Sequence, residues 1–130
     1  MVLLDTHVIV WLASDDPRLS KAATSAIEDE RKAERGLAIS DFTLCELSML
    51  FRKKQIALSA TVESFLSAVE THFVILPITA RVCVRALSFP ATYPRDPADR
   101  IIGATALVEG LRLITADAQI RNSRAVPTIW

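Results

Sequence analysis

Apolar residues along this chain recur with two different periods. Short unbroken runs of strand length, VLL (2–4), LAIS (37–40), FVILPI (73–78), LRLIT (111–115) and VPTIW (126–130), are separated by longer stretches whose apolar positions lie three and four residues apart. The run at 73–78 is the most strand-like of the set. Thr6–Ala13 predicts a first helix, which DDP at 15–17 breaks. Over Ser20–Arg35, Leu19, Ala22, Ala23, Ala26 and Ile27 share one face, and the charge run EDERKAER reads as the solvated face opposite. Further helices are predicted over 41–54 (DFTLCELSMLFRKK), over 60–73, with Val62, Phe65, Leu66, Val69 and Phe73 at helical spacing, and over 79–88. Pro97–Glu109 is apolar nearly all round, which predicts a buried helix. Gly36 and Gly110 follow helical segments, where a left-handed residue commonly closes the last turn. Five short strands alternating with helices predict a parallel α/β sandwich, and sheets of that kind bind ligands at the carboxyl ends of their strands.

Length and composition narrow the function classes. At 130 residues the chain suits one compact domain, and 51% hydrophobic with 23% charged residues reads as globular. Fifteen basic residues offset fifteen acidic ones, so any contact with nucleic acid must use a local patch. The longest apolar runs, such as VIVWLA at 8–13, fall far short of the ~20 residues a membrane helix needs. The opening MVLLD has no basic region and meets Asp5 at once, so no secretory signal is expected and the chain is read as cytoplasmic. Cys45 and Cys83 sit in apolar helical patterns without CxxC spacing, and read as buried thiols of a cytosolic protein.

Candidate chemistry rests on where certain acids fall. Asp5 ends the first strand and Asp117 follows the strand LRLIT, so both open onto the carboxyl edge of the sheet. Asp99 lies in the first turn of the buried helix, whose start faces the same edge after a right-handed crossover. Glu46, inside TLCELSML, has no Lys or Arg at i±3 or i±4 to pair with, and a charge in apolar company costs several kcal/mol unless something compensates it. Converging carboxylates without adjacent bases repel one another unless a cation neutralises them, and all-oxygen ligands suit Mg²⁺ or Mn²⁺ better than zinc. Each acid also has a structural alternative. Asp5 and Asp117 can cap the helices that follow them. Asp96, Pro97 and Asp99 match the order of a capping box, with Asp in place of Glu at the third position.

In order along the chain, LLDTHVIVWL, ISDFTLCEL, RDPADRIIGATAL, LRLITAD and the terminal PTIW resemble the PIN-domain ribonucleases, specifically the VapC-type toxins of type II toxin–antitoxin pairs. The resemblance covers almost the whole chain and implies a single PIN domain over 1–130. The fold it implies is a three-layer α/β sandwich with a central, mostly parallel five-stranded sheet flanked by helices. It implies metal-binding, catalytic carboxylates at Asp5, Glu46, Asp99 and Asp117, hydroxyl residues beside them at Thr6 and Thr115, and an accessory acid at Asp96. It also implies Mg²⁺ or Mn²⁺ as cofactor, RNA of the tRNA or rRNA class as substrate, a VapB-type antitoxin as partner and a homodimer. Two positions depart from the family pattern. Asp41 stands where many relatives carry Pro, and Ala98 replaces an aromatic residue between the two aspartates.

The remaining features carry weaker signals. Arg52, Lys53 and Lys54 form the densest basic cluster, a solvated helix end or a track for RNA phosphates. Arg81 and Arg85 share a helix face with the same two readings, and Arg100 is placed to orient a carboxylate or pair with Asp96. His7 reads as packing or as support for the first acid rather than as a general base, and Trp11 and Trp130 as core or edge packing rather than base-stacking platforms. A haloacid-dehalogenase-like phosphatase would need an acid where His7 stands. Three glycines and no GxGxxG or GxxxxGK exclude the common nucleotide-binding loops. The rival that survives is a catalytically silent PIN-fold domain that binds RNA or protein.

Overall fold

The computed structural model describes residues 1–56 and 59–130. Its elements run β1 (Val2–Leu4), α1 (Thr6–Ala13), α2 (Lys21–Lys32), β2 (Leu37–Ser40), α3 (Asp41–Arg52), α4 (Val62–His72), β3 (Val74–Leu76), α5 (Ala80–Ala86), α6 (Pro97–Glu109), β4 (Leu113–Ile114), α7 (Ala118–Ser123) and β5 (Thr128–Ile129). The alternation read from the sequence holds: β1, α1, β2 and α6 span the predicted residues, and the other predicted elements are trimmed at their ends. Helix α3, for example, stops at Arg52, and Lys54 turns the chain in a left-handed conformation at φ 55°.

The sheet has the order β3-β2-β1-β4-β5, and every pairing is parallel rather than mostly so. Its alternating side chains build two cores, as the two-residue period of a strand requires. Val2, Leu4, Leu37, Ile39 and Ile114 face one side with Val8, Ile27, Leu47 and Val69 of α1 to α4. Leu3, Ala38 and Leu113 face the other with Ile102 and Ala106 of α6 and Ile120 of α7. This is the expected three-layer sandwich. From β1 the chain winds through β2 to β3, then crosses back over to β4 on the far side of β1. The carboxyl ends of β1 and β4 therefore flank the point where the winding reverses, which is where open parallel sheets form a crevice.

The strand-like run at 73–78 forms β3, an edge strand with Val74 41% exposed, and Pro77 follows its last residue. Two readings need correction. Cys45 and Cys83 are exposed, not buried, because they lie on the outer faces of α3 and α5 while Leu47 and Val82 turn inward. The run EDERKAER is not wholly solvated. Glu30 is 6% exposed and accepts from Arg35 Nε at 2.8 Å and from the Met1 amine at 2.6 Å. Those two cations, Arg35 foremost, hold its carboxyl at about 2. Among the described residues no helix is long and apolar enough to cross a membrane.

Helix α6 is buried as its composition requires, and Gly103 within it is the chain's one helical glycine, since Gly110 caps α6 and Gly36 lies beyond the Glu34 turn that ends α2. A Cβ at Gly103 would run into the hydroxyl of Tyr93. That side chain is fully buried, stacked on Phe89 at 3.8 Å between ring centroids, and its hydroxyl donates to the carbonyl of Asp99 at 2.7 Å. Gly103 thus lets a tyrosine lie against α6 and brace its first turn.

Candidate active site

Asp5 stands where β1 ends and α1 begins. It is 4% exposed and caps α1 by accepting from Thr6 N at 2.7 Å through Oδ1. Its other oxygen, Oδ2, accepts from the Thr115 hydroxyl at 2.6 Å. Thr115, at the end of β4, is fully buried, and its hydroxyl oxygen also accepts from Asp117 N at 3.1 Å. One hydroxyl therefore ties the first acid to the backbone of the last. Asp117 in turn caps α7, with Oδ1 accepting from Ile120 N at 2.9 Å.

Thr6 makes the second link. Its hydroxyl donates to Glu46 Oε1 at 2.6 Å and lies 3.4 Å from Thr43 Oγ1. Glu46 is half-buried on α3, and burial pushes its carboxyl above the ordinary range, with Asp5 and Asp96 adding to the rise and the Thr6 bond opposing it. Asp96 caps α6, Oδ1 accepting from Ala98 N at 2.8 Å and from Asp99 N at 3.4 Å, with Pro97 at the first helical position. The cap half of the predicted box is present, and among the described residues the Asp99 carboxylate makes no return bond. Asp99 is pushed up to about 7, first by burial and then by the charges of Asp5, Asp96, Asp117 and Glu46. No lysine or arginine is among the groups acting on Glu46 or Asp99. Among the described residues no lysine or arginine forms a salt bridge with any of these acids.

Among the described residues, no three or more His, Cys, Asp or Glu side chains stand close enough together to hold a metal ion as they lie. Asp5, Glu46, Asp96 and Asp117 each accept hydrogen bonds from neighbouring threonines or helix termini instead. The donor set is nonetheless hard carboxylate oxygen, which is the chemistry Mg²⁺ and Mn²⁺ fit.

Other predicted residues fall elsewhere. Arg52, Lys53 and Lys54 lie exposed at the end of α3, and none pairs with a site acid among the described residues. Arg100 does not pair with Asp96. Its Nε donates to Pro94 O at 3.0 Å and its Nη1 to Ala86 O at 3.3 Å, tying the loop before α6 to α5. Arg81 and Arg85 line a groove of about 670 Å³ between α5 and α6, and none of the acids lines it.

His7 does more than fill space. Its Nε2 accepts from Ala116 N at 2.9 Å, which puts the ring proton on Nδ1, 3.6 Å from Asp5 Oδ2. It thereby holds the turn between Thr115 and Asp117, whose Ala116 carbonyl also accepts from Arg121 Nη2 at 3.3 Å. Tyr93 went unmarked in the sequence. The available signal was the glycine inside α6, since an interior helix glycine marks a close approach.

The PIN domain family matches residues 2–125. Ribonuclease VapC22 of Mycobacterium tuberculosis is 38% identical over 99% of this chain and 98% of its own. Among solved structures, a toxin–antitoxin complex from Klebsiella pneumoniae is 25% identical with a TM-score of 0.63, covering 90% of this chain and 87% of the other. VapBC2 from Rickettsia felis, bound to a promoter DNA fragment, superposes with a TM-score of 0.72 at 17% identity, covering 98% and 97%. FitAcB from Neisseria gonorrhoeae does so at 0.71 and 22%, covering 98% and 96%. The fold and these matches agree that the chain belongs to the PIN-domain family.

Proposed function

We propose that this chain, a single PIN domain over residues 1–130, is a Mg²⁺- or Mn²⁺-dependent endoribonuclease, the toxin of a type II toxin–antitoxin pair. The observation that carries the reading is that Asp5, Glu46, Asp96 and Asp117 all raise the Asp99 carboxyl while, among the described residues, none of these acids pairs with a lysine or arginine. A relative named as a ribonuclease, similar over nearly the full length, supports it. Asp5, Glu46, Asp99 and Asp117 would hold the metal. Bound there, the ion would supply an activated water and steady the charge developing on the scissile phosphate. The chain's own residues orient this set. Thr115 fixes Asp5 against the Asp117 turn, Thr6 fixes Glu46, and Tyr93 with the Asp96 cap fixes the turn carrying Asp99. No side chain need be the nucleophile.

In this reading the substrate is RNA of the tRNA or rRNA class, the toxin acts in the cytoplasm as a homodimer, and a VapB-type antitoxin restrains it. A structural neighbour that is a toxin–antitoxin complex favours the partner. The test is cleavage of RNA by the purified chain, abolished by EDTA and restored by Mn²⁺ or Mg²⁺ but not Zn²⁺, with growth arrest on induction of the wild type and not of Glu46→Gln. Cleavage undiminished in chelator would refute the metal reading. Harmless expression of soluble wild-type chain would favour the silent binding domain.

A further inference from the structure

Both tryptophans of the chain stand in one cluster beside the acids. The Trp11 ring lies 5.0 Å from His7 and 5.7 Å from Trp130, and Trp130 lies 6.5 Å from His7, all between centroids. His7 reaches Asp5 at 3.6 Å, so the aromatic cluster begins where the acidic site ends. These rings are half-buried, unlike Tyr93, which is fully enclosed. On the far side, the Arg18 guanidinium sits 4.7 Å over the Trp11 ring. Asp16 grips that guanidinium by both oxygens, at 3.0 and 2.7 Å, so its plane is held in place. Trp11, Ser14, Asp16, Arg18 and Gln55 line a cavity of about 190 Å³. Gln55 follows directly on Arg52, Lys53 and Lys54, all exposed.

We infer that this cavity is a subsite for one unpaired nucleobase of the RNA, next to the nucleotide whose phosphate lies at the acids. The inference rests on the ribonuclease reading and extends it to substrate selection. Each part has a physical role. The fixed Arg18 plane, seated on the Trp11 ring, is the surface on which a base stacks. The Gln55 amide offers a donor and an acceptor to a base edge, and Asp16 an acceptor. The basic end of α3 supplies the backbone with positive charge, which a chain of zero net charge must provide locally. Val10, Ala13 and Ile56 complete the lining, and a planar ring with a hydrogen-bonding edge uses both these apolar atoms and the polar groups beside them.

Because the cluster contains the only two tryptophans, intrinsic fluorescence reports on it alone. The purified chain, in low salt with EDTA, is titrated with single-stranded oligoribonucleotides of A, C, G or U and with an abasic phosphodiester oligomer of equal length. Binding is followed in parallel by anisotropy. At least one base should quench the tryptophans, and the abasic oligomer should bind without quenching. Trp11→Ala, which removes the seat of the Arg18 plane, should weaken binding of the quenching oligomer about tenfold, the scale of one lost stacking contact, and Trp11→Phe should restore most of it. Exposed Arg18→Ala and Gln55→Ala, which leave the core intact, should weaken binding and change the order of preference among the four bases. Quenching by the abasic oligomer, or by none, would overturn the inference, as would Arg18→Ala and Gln55→Ala that keep wild-type preference. If cleavage in Mn²⁺ proceeds without quenching, the nuclease reading stands and the subsite falls. If quenching and its variants behave as stated but no RNA is cut, the subsite stands and the nuclease reading falls.

Discussion

Asp99→Asn should stabilise the metal-free protein at alkaline pH while abolishing cleavage. The Asp99 carboxyl is raised from 3.8 to about 7 by burial and four neighbouring carboxylates, so between these values the folded chain holds a proton that the unfolded chain releases. Stability from this group is therefore complete below about pH 4, falls as pH rises and levels off above about pH 7. At ~1.36 kcal/mol per pH unit the ceiling is about 4 kcal/mol. Asp99 is only half-buried, and solvent screens its neighbours, so about 1–2 kcal/mol is the expected loss. Asparagine has nearly the shape of the neutral acid and does not titrate, and its presence also relieves Glu46. In EDTA the melting temperature of Asp99→Asn should match wild type near pH 4 and exceed it by about 3–8 °C at pH 8. Saturating Mn²⁺ should reverse the order, because wild type gains about 2.7 kcal/mol at 100 times Kd and the variant less. Wild-type stability that is flat from pH 4 to 8, with an asparagine variant no more stable at pH 8, would refute the electrostatic argument.

Thr115→Val leaves a buried Asp5 oxygen and the Asp117 amide without their shared partner and should cost about 1–3 kcal/mol in urea unfolding, with reduced cleavage. An unchanged midpoint would mean water replaces the hydroxyl. Gly103→Ala should cost about 1–3 kcal/mol by overpacking Tyr93. Adding Tyr93→Phe, which removes the colliding hydroxyl, should recover part of that loss, and strict additivity in the double-mutant cycle would show that the two do not meet. Asp96→Ala should cost about 1 kcal/mol as a lost cap, while Asp96→Asn, still able to cap, should be nearly silent in stability and retain part of its cleavage. An inactive Asp96→Asn beside an active Asp99→Asn would exchange the two roles.

By itself the sequence determined the elements and the residues worth watching. Strand and helix periods are local properties, so the five strands, the buried α6 and the cap at Asp96 were legible. So were Asp5 and Asp117 at strand ends, because the carboxyl end of a strand is defined along the chain. Tertiary structure decided what no local period encodes. The most hydrophobic strand lies at the edge because strand order is set by crossovers. Cys45 and Cys83 face outward because an apolar stretch on a helix does not say which side meets the core. The bond from Thr115 to Asp5 joins residues 110 apart, and His7 bonds the Ala116 amide across 109. The fit of Tyr93 to Gly103 likewise exists only once α6 is docked. The raised carboxyl of Asp99 depends on all of these, since a field is a property of distances in space and not of spacing along a chain.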